Sequence, residues 1–157
     1  MAEKKKIMVI DDERDLCLLV KDNLEQKGRF EVVVVTDPLT VEEVCTKEQP
    51  DLILLDVVMP KRKGSDVAKS LKEGSQTKHI PIVIMSGLGE MVYFKRKDQW
   101  KWIPNQPLGR DQKGVVNESS PKRAAEAYGV DNYIAKPFST DVLIEVIDDV
   151  LMRKKPA

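Results

Sequence analysis

Four apolar runs along the chain end in polar side chains that could do chemistry. These polar residues are three aspartates, a serine and a lysine, namely Asp11, Asp12, Asp56, Ser86 and Lys136. Three clustered carboxylates repel one another and favour a hard divalent cation such as Mg²⁺. Beside that cation a carboxylate such as Asp56 can attack phosphorus, while a hydroxyl and an ammonium stabilise the phosphoryl oxygens. The residue types therefore indicate phosphoryl transfer to an aspartate.

The preceding elements must position these side chains. Apolar, β-branched runs alternate with helical periodicity, which predicts a strand–helix unit repeated five times. The predicted strands are Ile7–Ile10, Phe30–Val35, Asp51–Leu55, Ile80–Met85 and Asn132–Ala135. The predicted helices are Glu13–Lys27, Thr40–Lys47, Ser65–Glu73, Lys122–Tyr128 and Ser139–Arg153. This alternation indicates an α/β fold whose parallel sheet is covered by helices on both faces.

Parallel strands bring their carboxyl ends to one edge of the sheet, where open α/β folds bind ligands. The three aspartates, Ser86 and Lys136 are therefore expected to converge at that edge.

On the first predicted helix, periodicity places four apolar residues on one face, namely Leu16, Leu19, Val20 and Leu24.

Composition is typical of one globular domain. The chain has 157 residues, a formal net charge of +0 and 41% hydrophobic residues. The neutral balance gives no electrostatic reason to expect nucleic acid or an anionic membrane as a partner. No apolar run approaches the roughly 20 residues that cross a bilayer. Cys17 and Cys45 lie in helical patterns without metal-type spacing, which favours reduced core thiols and a cytoplasmic location.

The blocks MVIDDE, DLILLDVVMPKRKG, PIVIMSG and DNYIAKPF resemble the signature blocks of the response-regulator receiver domain of two-component signalling. The resemblance covers Lys5–Leu151 apart from one insertion. It implies a single receiver domain over residues 5–153. It also implies a flavodoxin-like (βα)5 fold, doubly wound around a five-stranded parallel sheet of strand order 2-1-3-4-5.

The resemblance also assigns roles, position by position. Asp56 would be the phosphoacceptor, Asp12 would bind Mg²⁺ directly, and Asp11 would bind it through water. The backbone carbonyl of Val58 would be a further metal ligand. Ser86 and Lys136 would contact the phosphoryl group, and Tyr133 would be the aromatic residue that repositions during switching.

The resemblance implies a signalling domain that accepts a phosphoryl group, and not an enzyme acting on a separate substrate. The donor would be a sensor histidine kinase or a phosphotransfer protein. Because the chain ends just after the last predicted helix, we expect a stand-alone receiver whose output is contact with a downstream protein. Val58 and Leu88 occupy positions that influence water access to the aspartyl phosphate in the family. Both are apolar, which predicts slow loss of the phosphoryl group.

Two other functional classes compete with this interpretation. A constitutive interaction scaffold would keep the fold without being phosphorylated, but the complete acidic and basic set argues against it. A phosphatase of the haloacid-dehalogenase kind also uses an aspartate nucleophile. That chemistry needs a second aspartate two residues after the nucleophile, where this chain has Val58.

Residues 91–118 form an insertion between the fourth predicted strand and the helix that follows it. The segment carries six Lys and Arg against three Asp and Glu. Alternating apolar residues predict a small β-hairpin with a partner surface of four aromatic residues, namely Tyr93, Phe94, Trp100 and Trp102. Four interpretations stay open: a flap packed on the domain, a surface for a partner or a homodimer, a segment ordered only on binding, and a nucleic-acid contact.

Overall fold

The computed structural model describes residues 3–56, 59–86, 92–96, 99–103, 130–136 and 138–153. Within these ranges there are seven strands: β1 (Lys5–Ile10), β2 (Phe30–Val35), β3 (Leu52–Asp56), β4 (Ile82–Ser86), β5 (Val92–Arg96), β6 (Gln99–Ile103) and β7 (Asn132–Ala135). The described residues also include four α-helices: α1 (Arg14–Glu25), α2 (Val41–Glu48), α3 (Gly64–Glu73) and α4 (Thr140–Arg153). A 3-10 turn over Pro38–Thr40 precedes α2.

Five of the strands form one parallel sheet in the order β2-β1-β3-β4-β7. This arrangement confirms the predicted doubly wound sheet, with β7 as the fifth strand of the predicted order. The switch in winding direction lies between β1 and β3, so both strands end at the crevice where such folds bind ligands.

The two faces of the sheet carry separate apolar cores because alternate strand residues point to opposite faces. On one face, α1 and α4 cover Ile7, Val9, Leu52, Leu54, Val83, Met85 and Ile134. On the other face, α2 and α3 cover Met8, Ile10, Ile53, Leu55, Ile82 and Ile84. The central strands are buried on both sides, as their continuous apolar sequences predict.

The inward face of α1 differs from the prediction. Cys17, Val20 and Leu24 are buried, whereas Leu19 is 57% exposed. The buried set follows the i, i+3, i+7 spacing of a single helical stripe. The prediction for Leu19 is therefore wrong, and the small apolar Cys17 takes the inward position. Both cysteines are buried free thiols, as predicted.

The predicted hairpin in the insertion is confirmed at the level of the backbone. β5 and β6 pair antiparallel, with Tyr93 opposite Trp102 and Phe94 opposite Lys101. The side chains of Tyr93, Phe94, Trp100 and Trp102 lie outside the described residues, so their role as a partner surface stays a prediction.

The other elements agree with the prediction to within about two residues at each end, which is the usual spread of helix boundaries. The helix predicted over Lys122–Tyr128 lies outside the described residues. Among the residues that the structure does describe, no helix is both long enough and apolar enough to cross a membrane.

Candidate functional site

Strand register explains how two distant aspartates meet. β1 and β3 are neighbours in the sheet, and Ile10 is paired with Leu55. Asp11 and Asp56 are the next residues along the two strands, so the parallel pairing brings them to the same level at the carboxyl edge. Asp12 follows Asp11 in the turn that leads into α1.

The three predicted aspartates form one acidic cluster, made of Asp11, Asp12 and Asp56. One carboxylate oxygen from each lies within 4.8 Å of the others. Asp11 is 1% exposed and Asp56 is 4% exposed, whereas Asp12 is open to solvent. Two carboxylates are thus held in the protein and the third faces the approach from water.

Lys136 closes over this cluster from the end of β7. Its Nζ atom lies 2.5 Å from Oδ2 of Asp11 and 3.4 Å from Oδ1 of Asp56. Burial lowers the pKa of Lys136, but the hydrogen bond with Asp11 and the charges of both aspartates outweigh burial and raise the pKa overall. The side chain therefore carries a full positive charge at neutral pH.

Asp11 is held by the backbone as well as by Lys136. Its Oδ1 accepts a hydrogen bond from the backbone N–H of Glu13 at 2.9 Å. The thiol of Cys17 donates to the backbone carbonyl of Asp11 at 3.3 Å, and burial raises the pKa of that thiol to about 12. The thiol is therefore a structural donor rather than a nucleophile.

The donor set of the acidic cluster fits Mg²⁺. All three side chains offer oxygen ligands, which this ion prefers, and three negative charges face one ammonium. Both oxygens of Asp11 already accept a hydrogen bond, whereas Asp12 is exposed. The separate roles of Asp11 and Asp12 at the metal stay predictions.

The remaining predicted site residues are described only in part. Ser86 ends β4 and is paired with Ala135 through the backbone, and Tyr133 lies in β7 opposite Ile84. The side chains of Ser86 and Tyr133 lie outside the described residues, as do Val58 and Leu88. The backbone places Ser86 at the same edge of the sheet as Lys136.

Two features of the site region are not predicted from the sequence: the hydrogen bond that holds the Asp11 carboxylate, and the ion pair of Arg62. The contact between Asp11 and the Glu13 N–H has the i to i+2 pattern of an Asx turn, which Asp-x-x sequences often adopt, so a local signal existed. Arg62, in the connection after β3, contacts Glu42 of α2 at 2.6 Å. No local signal predicts that contact, because the two residues belong to different elements.

The comparisons with known proteins agree with this geometry. The family model of the response regulator receiver domain matches residues 7–99, which is more than half of the chain. The phosphate regulon transcriptional regulatory protein PhoB of Rhizobium meliloti is 30% identical over 151 residues, covering 96% of this chain and 54% of that protein. The DNA-binding dual master transcriptional regulator RpaA of Synechocystis is 27% identical, covering 94% of this chain and 49% of that protein.

The chain thus spans about half the length of these curated relatives. Among solved structures, a CheY-like response regulator receiver domain protein from Methanospirillum hungatei superposes with a TM-score of 0.70 at 18% identity, over 97% of both chains. That likeness supports the fold, and the family match extends it to the sequence blocks around Asp11 and Asp56. The chain belongs to the response regulator receiver domain family, a family of signalling domains in two-component systems.

Proposed function

We propose that Asp56 accepts a phosphoryl group in an Mg²⁺-dependent reaction. The donor is a phosphohistidine of a sensor histidine kinase or a phosphotransfer protein. The observation that supports this most is the acidic cluster at the carboxyl edge of the sheet, with Lys136 bridging Asp11 and Asp56. In the transfer, an oxygen of Asp56 attacks phosphorus and the phosphorus–nitrogen bond breaks. The imidazole nitrogen keeps the electron pair and takes up a proton.

The metal would be held by Asp12 and Asp56 directly, by Asp11 through water and by the backbone carbonyl of Val58. When bound, Mg²⁺ would neutralise negative charge on the phosphoryl oxygens and so lower the barrier to attack by a carboxylate. The chain's own part is to hold Asp56 nearly buried while leaving the exposed Asp12 at the entrance.

Lys136 places a positively charged ammonium group beside the acidic cluster. In the unphosphorylated site its ammonium is shared between Asp11 and Asp56. Once an oxygen of Asp56 becomes part of the acyl phosphate, the ammonium can contact a phosphoryl oxygen instead. Ser86, at the same edge, would donate a hydrogen bond to another oxygen. We propose that this exchange of partners, followed by movement of Tyr133, is the switch.

Intact-mass measurement tests phosphoryl transfer. Incubation with Mg²⁺ and a phosphorylated donor should add one phosphoryl group to the wild-type chain and none to Asp56→Asn, and a chelator should abolish the adduct. Asp66→Asn, which changes an exposed carboxylate in the first turn of α3, is the matched control and should still be modified. An unmodified wild type under these conditions would favour the constitutive scaffold.

The same measurement followed in time tests the lifetime of the adduct. The apolar residues Val58 and Leu88 predict slow hydrolysis, because neither can orient a water molecule for attack on phosphorus. An adduct lost within seconds in Mg²⁺ would contradict that prediction. Rapid release of many equivalents of phosphate from small phosphate esters would instead favour the haloacid-dehalogenase alternative.

The partners of this receiver stay predictions. The chain spans about half of its curated relatives, and one of them is by name a DNA-binding regulator. The stand-alone role, the absence of a nucleic-acid partner and the cytoplasmic location are therefore kept as predictions.

Trp100 and Trp102 are the only tryptophans of the chain. A fluorescence change on adding Mg²⁺ and beryllofluoride, absent in Asp56→Asn, would show that the insertion senses the site.

A further inference from the structure

We infer that Arg62 is a positioning residue, which fixes the connection between Asp56 and α3 and thereby tunes the affinity of the acidic cluster for Mg²⁺. The inference rests on the proposed function. Its basis is a set of contacts between that connection and α2, an element that carries no member of the site.

Arg62 reaches from the connection to two other elements. Its Nη2 atom lies 2.6 Å from Oε1 of Glu42 in α2, and its Nη1 donates to the backbone carbonyl of Pro38 at 3.3 Å. The same Oε1 of Glu42 accepts a hydrogen bond from the hydroxyl of Ser70 in α3 at 2.9 Å. One carboxylate therefore joins the connection, α2 and α3. We call Arg62, Glu42 and Ser70 the Arg62 clamp.

The electrostatics of the clamp favour a fixed geometry. The hydrogen bond with Glu42 raises the pKa of Arg62. Burial raises the pKa of Glu42, but the hydrogen bonds from Arg62 and Ser70 outweigh burial and lower it overall. The Arg62 side chain is 23% exposed and the Glu42 side chain is 38% exposed, so the guanidinium is partly shielded from water while the carboxylate stays more open to it.

A second contact, made by the apolar side chain of Met59, holds the connection closer to Asp56. Met59 is 6% exposed and packs in the core cluster that contains Ile10 and Leu55, the strand residues directly before Asp11 and Asp56. Between Met59 and Arg62, Pro60 and Lys61 are exposed. The connection is therefore held at two points: by packing close to Asp56 and by the guanidinium where it enters α3.

Releasing one of these two points should loosen the connection without unfolding the domain. The connection begins directly after Asp56, so a looser connection raises the cost of ordering Asp56 around the metal. We expect the Mg²⁺ dissociation constant of Arg62→Ala to rise roughly threefold or more, short of the ~10-fold or larger losses typical of groups that directly support a ligand.

An NMR titration with Mg²⁺ tests this inference, with dissociation constants taken from backbone amide shifts. Arg62→Ala and Glu42→Gln should both weaken Mg²⁺ binding, and the dissociation constant of Arg62→Lys should lie between theirs and that of wild type. A variant that combines Arg62→Ala with Glu42→Gln should bind Mg²⁺ no more weakly than Arg62→Ala alone. Arg29→Ala is the control, because it removes an exposed ion pair, to Asp148 at 2.6 Å, far along the chain from the site. The amide spectra also show whether each variant is folded.

The outcomes separate the inference from the function on which it rests. Equal dissociation constants for wild type, Arg62→Ala and Glu42→Gln would overturn the clamp and leave the proposed function intact. A wild type whose spectrum does not respond to Mg²⁺ would overturn the proposed function first. If Arg62→Ala proves unfolded, Glu42→Gln and Arg62→Lys decide, since both keep a side chain of similar size.

Discussion

The ammonium of Lys136 lies 2.5 Å from Oδ2 of Asp11, although the two residues are 125 positions apart in the sequence. Lys136 follows β7 at one side of the sheet and Asp11 follows β1 near its centre, so the lysine side chain reaches across the end of β4 and β3. A positive charge that compensates the acidic cluster is thus supplied by the residue that directly follows the last strand of the sheet.

Replacing Lys136 by methionine should destabilise the metal-free protein. The change leaves Asp11 and Asp56, both nearly buried, without their ammonium partner. Breaking a buried ion pair on one side typically costs roughly 3 kcal/mol or more, because a buried charge is left unpaired. Urea unfolding without metal measures the loss, and Mg²⁺ should restore more stability to this variant than to wild type.

Lys61→Met is the matched control, because Lys61 is an exposed residue of the connection after β3. Its free energy of unfolding should stay within about 0.5 kcal/mol of wild type, as is usual at exposed positions. Equal unfolding curves for wild type and Lys136→Met would mean that water already screens the two aspartates.

Replacing Asp12 by asparagine should remove most of the stabilisation that Mg²⁺ gives. A ligand that binds only the native state at ten times its dissociation constant adds about 1.4 kcal/mol to the free energy of unfolding. We expect thermal unfolding of wild type to show that gain and Asp12→Asn to show little of it. Asp15→Asn, in the first turn of α1, should respond to Mg²⁺ like wild type. An undiminished gain in Asp12→Asn would exclude Asp12 as a ligand.

The edge strand β2 gives a prediction about pH. Oε2 of Glu25 accepts the backbone N–H of Val32 at 3.1 Å, and Lys21 donates to the carbonyl of Val32 at 2.9 Å. The bond from Val32 lowers the pKa of Glu25 below its ordinary value of 4.5, although burial opposes the shift. A carboxylate whose pKa is lower in the folded protein than in the unfolded chain stabilises the fold at every pH above the unfolded pKa. That stabilisation is lost as the pH falls through the folded pKa.

The difference in free energy of unfolding between wild type and Glu25→Gln should therefore be constant near neutral pH. It should shrink below about pH 4.5, where the carboxylate is protonated first in the unfolded wild type and then, at lower pH, in the folded protein. Urea titrations of both proteins at several pH values measure it, with Glu43→Gln, an exposed carboxylate of α2, as the control. A difference that grows as the pH falls would show that the carboxylate does not hold Val32.

The central strand should be the most sensitive part of the core. Leu54 is fully buried in β3, beneath α1 and α4. Truncating such a residue to alanine leaves a cavity and typically costs about 2–5 kcal/mol. Leu19→Ala is the comparison, because Leu19 is 57% exposed on α1, and its effect should be within about 0.5 kcal/mol. Chemical unfolding of the two variants measures both values, and similar losses would contradict the observed burial.

Much of the fold follows from local pattern. The sequence pattern predicts strands over Phe30–Val35 and Asn132–Ala135, and the structure has both strands with these bounds. Continuous apolar runs between amphipathic helices leave few arrangements besides a parallel sheet covered on both faces. The inward face of α1 could not be predicted as well, because the position of α1 on the sheet decides whether Cys17 or Leu19 points inward.

The sequence by itself determined the chemistry available to this protein and the side of the sheet on which it lies. Each aspartate stands at the end of an apolar strand, and the ends of parallel strands meet. The tertiary structure decided the pairing: that Lys136 bridges Asp11 and Asp56, that Asp12 is the exposed member of the three aspartates, and that Arg62 contacts Glu42. Such contacts depend on strand order and helix placement, which no local segment of the chain encodes.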